Sequence, residues 1–592
     1  MIASDSLRQM PQKSPTSQIA PSAHRARKWL SIAALVLLTV LLRVPGIQRP
    51  LVGHYATKSA MYAMMARNWA LGRAPFWLPT TDCLAGGERG WHLLEIPLAA
   101  YLAGAGWAVC GGPLDLWGRS VSIVFSAGAA VLLYLLVRRW HSDRAASVAA
   151  LVFTFSPASI IFGQSFMLEP SVVFLMLATL WCMENWLEGV PERHGARSLI
   201  GFADQHGQCI ERRVGPASLR APAHRWRRRL RWAGARKLAG PTLHRLAPTC
   251  CCPRRATWFA LATMSLAMLL CSKIYMIVIL LPLAAKAGRK CTDLPAALRR
   301  RWSFACLAML AIGILPAVAW CLLVLWLASS DHALSSRVFD SLRHSGAVHH
   351  VPSAMLASPD FYWRLLGNLW GVGLTPVGAA LAGLGLCSRS SRRHLSWLAA
   401  MALLVALLPG KFFELHYYTL ILVPALSVLA GIGWEELAGW ISGRVARGTS
   451  HKAFVASACM LAGIACSLRL AIGPAFVTPR EDRAVTVAAA AVRELSAEGE
   501  PVATLHGAGP DLLYYCNRPG WALSANDRRL EQTVDRCRRQ GARWLVVADL
   551  APIEANPALK AVLGTLPMVR NGDDYRVYRL AASPQRLAQQ RP

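Results

Sequence analysis

Long runs of apolar residues, separated by short polar turns, occupy most of the chain between residues 29 and 472. Many of these runs hold about 18 or more residues, which is enough for a helix to cross a hydrocarbon core of about 30 Å. About eleven such spans can be drawn along the sequence. The pattern therefore predicts an α-helical polytopic membrane protein with about eleven transmembrane helices.

The pattern changes after Phe476. The stretches "AVTVAAAAVRELSAEGEPVATL" and "CRRQGARWLVVADL" each read as a helix followed by a short apolar strand, and "YRVYRLA" reads as a last strand. We therefore expect a small C-terminal α/β domain at residues 477–585. Cys516 and Cys537 both lie in it and could pair if the compartment is oxidising.

The distribution of charge gives the topology. The formal charge is +32, with Arg and Lys gathered in alternate loops, as the positive-inside rule requires. This places the N-terminal tail, residues 1–28, and the basic loop at 188–256 in the cytoplasm. An odd number of spans then leaves the C-terminal domain outside, in a multi-pass protein of the cytoplasmic (inner) membrane. The loop distribution argues against a nucleic-acid partner, and residues 1–28 do not resemble a removable signal peptide.

The segment at 46–118 is a long outer loop with two interfacial helices. "YAMMARNWALG" predicts an amphipathic helix that Gly72 ends, and Glu95-Ile-Pro97 opens a second apolar helix with an acid at its N-terminus. His54 and Lys58 are four residues apart, so they share one helical face. Polar side chains are thus concentrated at the membrane surface, before the second span.

Ionisable residues gather at the outer ends of the spans and in the outer loops, whereas the middles of the spans are nearly free of charge. Transporters tend to place such residues in mid-membrane. A site at the outer boundary instead suits a lipid-linked substrate whose headgroup lies at that level. The residues with this placement are His54, Lys58, Asp82, Glu95, Glu169, Lys273, Arg343, His344, Lys411, Glu414 and His416.

Five stretches in order carry a resemblance: "YAMMARNWALG…P…D…LLEIPLAAYL", "GRSVSIVFS", "FMLEPSVVFLMLATL", "SKIYMIVILLPLAA" and "KFFELHYYTLILVPALSVLAG". Together they resemble the GT-C glycosyltransferases of the protein-mannosyltransferase and aminoarabinose-transferase group. The resemblance covers about residues 30–435. It implies an inverting enzyme that transfers a hexosyl or pentosyl group from a polyprenyl-phosphate donor to a lipid, glycan or protein acceptor.

The resemblance also implies roles for single residues. Asp82 or Glu95 would act as catalytic base, and Glu95 with His344 would hold a divalent metal ion, the one cofactor that the family suggests. The substrate-binding residues would be His54, Lys58, Glu169, Lys273, Arg343, Lys411, His416 and Tyr417. One departure matters: Lys58 stands where the best-known members carry their catalytic Asp.

Simpler explanations stand beside these roles. Lys58 could be a snorkelling interfacial anchor, Asp82 a turn residue and Glu95 only a helix N-terminal acid. The missing Asp favours an alternative, a non-catalytic GT-C scaffold that binds lipid-linked sugar. A membrane transporter is a further alternative, which the α/β domain and the uncharged middles of the spans disfavour.

Overall fold

The computed structural model describes residues 21–580 except for several short segments and two longer ones. The parts left out are 54–55, 86–87, 189–252, 293, 328–351, 445–448, 508, 525–526 and 528. The predicted basic loop at 188–256 therefore lies almost wholly outside the described residues. So do three predicted site residues, which are His54, Arg343 and His344.

The membrane part is a bundle of long apolar helices. In the described part of the chain, eight are long and apolar enough to cross a membrane: Lys28–Gly46, Leu114–Trp140, Glu169–Leu187, Arg254–Ser272, Leu298–Leu327, Pro359–Cys387, His416–Ile441 and Phe454–Ala471. Asp143–Phe155 and Pro157–Gly163 form a ninth span if counted together, bent by 57°. The bend falls at Ser156, because Pro157 cannot donate the backbone hydrogen bond that would continue the first helix.

Two of the eleven predicted spans take a different form. The apolar run that follows Lys273 starts as a 3-10 helix, Ile274–Ile279, and continues as the α-helix Leu280–Thr292. The last span before the "GKFFELHYY" turn is the helix Leu395–Leu407, whose 13 residues extend only about 20 Å. The polytopic helical class is confirmed, whereas the count of eleven stays a prediction.

Shorter helices complete the membrane part and its surface. They are Val44–Gly46, Ala56–Ala70, Leu98–Cys110, Pro352–Ala357, Arg389–His394, Pro409–Glu414 and His416–Tyr418. The C-terminal region adds Arg480–Leu495, Asp511–Cys516, Leu530–Arg539, Ala551–Glu554 and Pro557–Gly564. We call Ala56–Ala70 the interfacial helix.

A seven-stranded sheet lies at one end of the bundle. Its strands are β1 (Thr80–Ala85), β2 (Glu88–Trp91), β3 (Val502–Leu505), β4 (Gly520–Leu523), β5 (Trp544–Ala548), β6 (Met568–Asn571) and β7 (Tyr575–Arg579), in the order β2-β1-β4-β3-β5-β7-β6. Strands β4, β3 and β5 run parallel, and β7 and β6 add antiparallel. The predicted small C-terminal sheet is therefore present, but β1 and β2 of the loop at 46–118 extend it.

The sheet region is anchored to the bundle by polar contacts. Asp115, at the start of Leu114–Trp140, accepts hydrogen bonds from the hydroxyls of Tyr514, at 2.6 Å, and Tyr515, at 2.5 Å. Arg67 of the interfacial helix lies over the Tyr514 ring, 4.9 Å from its centroid. The helix Asp511–Cys516 thus holds the interfacial helix and the first residues of a span together.

The opposite end of the bundle carries arginine-rich turns. The Arg393 guanidinium donates to the backbone oxygen of Trp140, so the turn after Cys387 meets the end of Leu114–Trp140. That helix has 27 residues and is therefore about 40 Å long. We call the two ends of the bundle the sheet end, which holds Asp115, and the arginine-rich end. Cys516 and Cys537, which could have paired, form no disulfide bond.

Candidate functional site

The interfacial helix presents two side chains in register at the sheet end. Lys58 and Tyr62 are four residues apart, so they lie one above the other on the same face. Most of the residues around them are apolar or small and pack into the core, with Ala60, Ala63 and Met64 fully buried. Helix packing therefore fixes the direction in which Lys58 and Tyr62 point.

Lys58 faces a buried carboxylate. Its Nζ lies 3.5 Å from Oε1 of Glu169, and the Glu169 side chain is wholly inaccessible to solvent. Glu169 begins the helix Glu169–Leu187, with Pro170 in its first turn, where a negative charge interacts favourably with the helix dipole. Both carboxylate oxygens of Glu169 lack a hydrogen-bond partner among the described residues. A buried acid with this much unused acceptor capacity is uncommon in a folded protein.

Glu95 forms a second buried ion pair beside the first. Its Oε2 lies 2.8 Å from Nζ of Lys273, and its other oxygen accepts a hydrogen bond from the Tyr62 hydroxyl. The chain supports this pairing locally, since the backbone nitrogen of Ile96 donates to the oxygen of Cys271 at 3.1 Å. Lys273 itself has extended backbone between the helix Pro253–Ser272 and the 3-10 helix Ile274–Ile279. The helix break brings the lysine to Glu95.

The electrostatics follow from these two pairs. Burial alone would raise the pKa of Glu95, but Lys273, then His92 and Lys58, outweigh it and hold that pKa well below its usual value. Burial would likewise lower the pKa of Lys58 and of Lys273, yet the nearby carboxylates, Glu169 and Glu95 respectively, raise both. Glu95, Lys58 and Lys273 are therefore charged at neutral pH, with opposite charges adjacent.

The turn after Leu395–Leu407 closes the site from another side. The Tyr417 ring is buried, and Nζ of Lys58 lies 4.4 Å from its centroid, a cation–π contact. His416 precedes it in the turn and is half-buried. Burial lowers the pKa of Lys411, and the positive charges of Lys58 and Lys273 lower it further. Among the described residues the site thus holds three ammonium groups and two carboxylates, and Lys411 is repelled by the other two ammonium groups.

Asp82 lies apart from this cluster. On β1 its Oδ2 is 2.5 Å from Nη2 of Arg67 and its Oδ1 is 3.0 Å from Nε of Arg89. Asn68 also donates to Oδ1, at 3.2 Å. A buried carboxylate whose two oxygens are occupied by two guanidiniums and an amide is poorly suited to accept a proton. These contacts favour a structural role for Asp82, which ties β1 to the interfacial helix.

The Asp82→Asn variant distinguishes the two roles. We expect it to lower the free energy of unfolding by about 2–3 kcal/mol, because two charge-assisted hydrogen bonds weaken while Arg89 stays partly solvated. Transfer activity per folded molecule should change less than tenfold, whereas loss of a catalytic base would cost about 10²–10⁴-fold. Thermal unfolding in detergent and a transfer assay normalised to folded protein measure both. Asp360→Asn, which alters an exposed ion pair with Arg364, is the matched control.

Of the two residues predicted to hold a metal ion, the structure describes Glu95 but not His344. Among the described residues no group of three or more His, Cys, Asp or Glu side chains is placed to hold a metal ion. The Lys273 ammonium also lies at the Glu95 oxygen that would face a cation. His92 approaches the other oxygen only to 4.0 Å, and His344 is not among the described residues. The pairing of Glu95 with His344 stays a prediction.

Sequence reasoning missed two members of the cluster. Tyr62 was part of the resemblance as a scaffold residue, but its hydroxyl hydrogen bond to Glu95 went unpredicted. Tyr418 belongs to the stretch "KFFELHYY" of the resemblance, but its contact with Tyr275, at 5.7 Å between ring centroids, is not predicted by the sequence. The spacing of Lys58 and Tyr62 on one helical face was the available signal for Tyr62. The Tyr275 contact joins distant segments and leaves no local signal.

The fold, with its charged cluster between membrane helices and a sheet at one end, is that of a multi-pass membrane protein of the GT-C type. Residues 109–200 match the family model of dolichyl-phosphate-mannose-protein mannosyltransferase. The resemblance to GT-C glycosyltransferases that the motifs carry is confirmed by this match and by the fold.

The solved structures most similar to the chain include ArnT from Cupriavidus metallidurans. Its crystal structure bound to undecaprenyl phosphate has a TM-score of 0.54 at 14% identity, covering 96% of this chain and 100% of that one. Its apo structure gives 0.53 at 14% identity, over 95% and 100%. The archaeal oligosaccharyltransferase AglB from Archaeoglobus fulgidus gives 0.49 at 12% identity, over 96% of this chain and 75% of that one. A search of curated proteins finds no match to the sequence.

Proposed function

We propose that the protein is an inverting membrane glycosyltransferase that takes a hexosyl or pentosyl group from a polyprenyl-phosphate donor. It transfers the sugar to a lipid, glycan or protein acceptor on the outer face of the cytoplasmic membrane. The similarity in fold to ArnT, whose structure was solved with undecaprenyl phosphate, supports a donor of this class. The family match at residues 109–200 supports transfer of a lipid-linked sugar.

The observation that carries the proposal is the charged cluster of Lys58, Glu169, Glu95 and Lys273, in which every member except Lys58 is buried. Burying charged groups is costly unless each is paired, so a cluster of this kind is an unfavourable way to stabilise a bundle. It lies at the sheet end of the apolar spans, and we place the phosphate of the lipid-linked donor there. A phosphate group needs cations and an acceptor needs a carboxylate, and the cluster supplies both.

The cations would act on the leaving group. As the acceptor oxygen bonds to the anomeric carbon, the bond from that carbon to the phosphate oxygen breaks and its electron pair stays on the phosphate. Lys58 and Lys411 are partly accessible and could contact the phosphate. Lys273 is buried against Glu95 and adds its positive charge without direct contact. The mutual repulsion that lowers the pKa of Lys411 would be relieved by a bound phosphate. This favours binding of the anion that forms in the transition state.

We propose Glu169 as the base, rather than Asp82 or Glu95. A hydroxyl acceptor must give up its proton, and the base needs an oxygen lone pair that no other donor occupies. Glu95 accepts from Tyr62 and Lys273, and Asp82 is bound by Arg67 and Arg89. Among the described residues neither Glu169 oxygen accepts a hydrogen bond, although the Lys58 ammonium lies 3.5 Å from Oε1. Glu169 is thus the carboxylate with capacity left for an acceptor hydroxyl.

The orientation in the membrane is part of the proposal. Arginine-rich turns at the end opposite the sheet favour a cytoplasmic position for that end, with the N-terminal tail, residues 1–28. The sheet region and the cluster then face the outside of the inner membrane. Lys58, Glu169, Lys273, Lys411, His416 and Tyr417 would then face the donor from this side. His54 and Arg343, which lie outside the described residues, stay in the proposal from the sequence alone.

The test is transfer by purified wild-type protein in proteoliposomes. Polyprenyl-phosphate donors carrying different radiolabelled sugars would be offered with a membrane extract as acceptor source, and the configuration of the product would be read by NMR. We expect transfer from one donor class with inversion at the anomeric carbon. Donor binding without transfer from any sugar would overturn the enzymatic proposal in favour of a non-catalytic scaffold. That alternative rests on the basic residue at Lys58, where the resemblance leads one to expect an acid.

A further inference from the structure

A large cavity opens at the arginine-rich end of the bundle, far from the charged cluster. Its volume is about 530 Å³, within the range of pockets that bind small molecules. Polar and charged side chains line one side of it, namely Lys28, Ser31, Tyr134, Arg138, Arg144 and Ser147. The proposed sugar-transfer site does not involve this cavity, because the two lie at opposite ends of Leu114–Trp140.

The charge of the cavity is positive. Among the described residues that line it are Lys28, Arg138 and Arg144 and one acid, Asp143, whose Oδ1 lies 2.5 Å from Nε of Arg138. Three cations and one anion leave a net charge of two positive. Arg144 is exposed and Lys28 half-buried, so both can turn toward a ligand. Guanidinium and ammonium groups of this kind bind phosphate oxygens through charge-assisted hydrogen bonds.

An apolar groove continues from the same cavity into the membrane. The groove and the cavity share Val148, Leu151, Trp434 and Met460 as lining residues. Beyond them the groove is bordered by Leu374, Gly463 and Ile464, and it adds about 60 Å³. Its walls come from the helices Asp143–Phe155, Thr375–Cys387 and Thr449–Phe476. A basic pocket at the boundary thus leads directly into an apolar channel along the spans.

We propose that this cavity and groove together bind an anionic glycerophospholipid of the inner leaflet. The phosphate lies among Lys28, Arg138 and Arg144, and one acyl chain follows the groove past Gly463. Charge complementarity selects an anionic headgroup, since basic pockets between membrane helices on the cytoplasmic side recognise such lipids. The small groove fits part of one unbranched chain, which favours a phospholipid over a long, branched polyprenyl phosphate. The proposal does not depend on sugar transfer, but the inner leaflet rests on the orientation given under the proposed function.

Delipidated full-length protein in detergent would be titrated with dioleoyl phosphatidylglycerol, dioleoyl phosphatidylcholine and farnesyl phosphate. Bound lipid is counted by native mass spectrometry, and thermal unfolding gives a second readout. We expect phosphatidylglycerol to bind at least about tenfold more tightly than phosphatidylcholine. In the double variant Lys28→Gln/Arg144→Gln we expect its affinity to fall about fivefold per cation removed.

Two controls separate the site from general attraction to the membrane surface. Arg389→Gln removes an exposed cation at the same end but outside the cavity, and should leave the headgroup preference intact. Gly463→Phe should fill the groove and weaken phosphatidylglycerol binding with all cations present, because its Cβ would lie 3.7 Å from Val377. Gly439→Phe adds the same ring where no atom lies within 4 Å and should have no effect.

Three results would overturn the proposal. Equal affinity of the wild type for the two phospholipids would mean ordinary annular lipid. An equal loss in Arg389→Gln would mean diffuse surface charge rather than a site. Tighter binding of farnesyl phosphate than of phosphatidylglycerol, lost in Lys28→Gln/Arg144→Gln, would assign the cavity to a polyprenyl phosphate instead.

Discussion

Replacing Glu169 by glutamine is expected to reduce sugar transfer to a hydroxyl acceptor by about 10²–10⁴-fold, the usual contribution of a general base. The change keeps the shape of the side chain and removes its ability to accept the acceptor's proton. Because the Glu169 oxygens have no hydrogen-bond partner among the described residues, few structural contacts are lost. Lys58 remains stabilised by the Tyr417 ring and by partial exposure to solvent. The loss should therefore appear in kcat, with donor affinity changed less than about fivefold.

The control for this variant is Glu414→Gln, an exposed acid in the neighbouring turn, which should retain full transfer. Single-turnover rates at saturating donor and equilibrium donor binding are the two measurements. Full transfer by Glu169→Gln to a hydroxyl acceptor would show that another group takes the proton. Weakened donor binding with an unchanged rate would instead make Glu169 a substrate ligand, as the sequence analysis expected.

The position of Glu169 relative to Lys58 also bears on the departure from the family. The sequence shows a lysine where the resemblance implies a carboxylate on the interfacial helix. In the structure a carboxylate is nevertheless present at that point, 3.5 Å from Nζ of Lys58, but it comes from Glu169–Leu187. Loss of an acid from one helix therefore does not leave the site without an acid. This arrangement favours the enzyme over the non-catalytic scaffold.

The sequence draws attention to two of these positions for a physical reason. Glu169 and Lys273 stood out because each is a charge between two apolar runs, where it must be buried or face a site. The structure brings both into one cluster with Lys58 and Glu95. The roles of Glu169 and Lys273 remain proposals. Their proximity is consistent with the order of spans that the hydrophobic pattern indicates. The helical membrane class followed from the same pattern.

Other features depended on contacts that no local pattern reveals. Asp82 resembled a free acid because its partners, Arg67 and Arg89, reach it only once β1 pairs with β2 and packs on the interfacial helix. Among the described residues, β1 joins β4 through the pairing of Cys83 with Gly520, two residues that are far apart in the sequence. Short strands in a polar loop carry too little alternation to be recognised. The domain boundary drawn at residue 477 could not anticipate them.

Replacing Lys273 by methionine is expected to destabilise the protein by about 3–5 kcal/mol at neutral pH, because it leaves Glu95 as a buried, uncompensated charge. Lys273 and Glu95 are each about 5% exposed, so water cannot substitute for the lost partner. Methionine matches the length of the aliphatic stem and leaves little cavity. Donor affinity should fall as well, since one cation of the cluster is lost. The apparent midpoint of thermal unfolding in detergent measures the first effect.

The pH dependence and a double variant identify the cause. Lys273 holds the pKa of Glu95 in the folded protein well below its usual value. The ion pair therefore stabilises the fold fully at pH values above the usual carboxyl pKa, and this stabilisation is lost as the pH falls toward the lowered pKa. Without Lys273 the pKa of Glu95 rises, and protonation relieves the burial cost, so the difference from wild type should shrink from pH 7.5 to pH 5. Adding Glu95→Gln to Lys273→Met should restore most of the stability at pH 7.5. A double variant as unstable as the single one would mean that packing of the lysine stem, rather than its charge, holds this end of the bundle together.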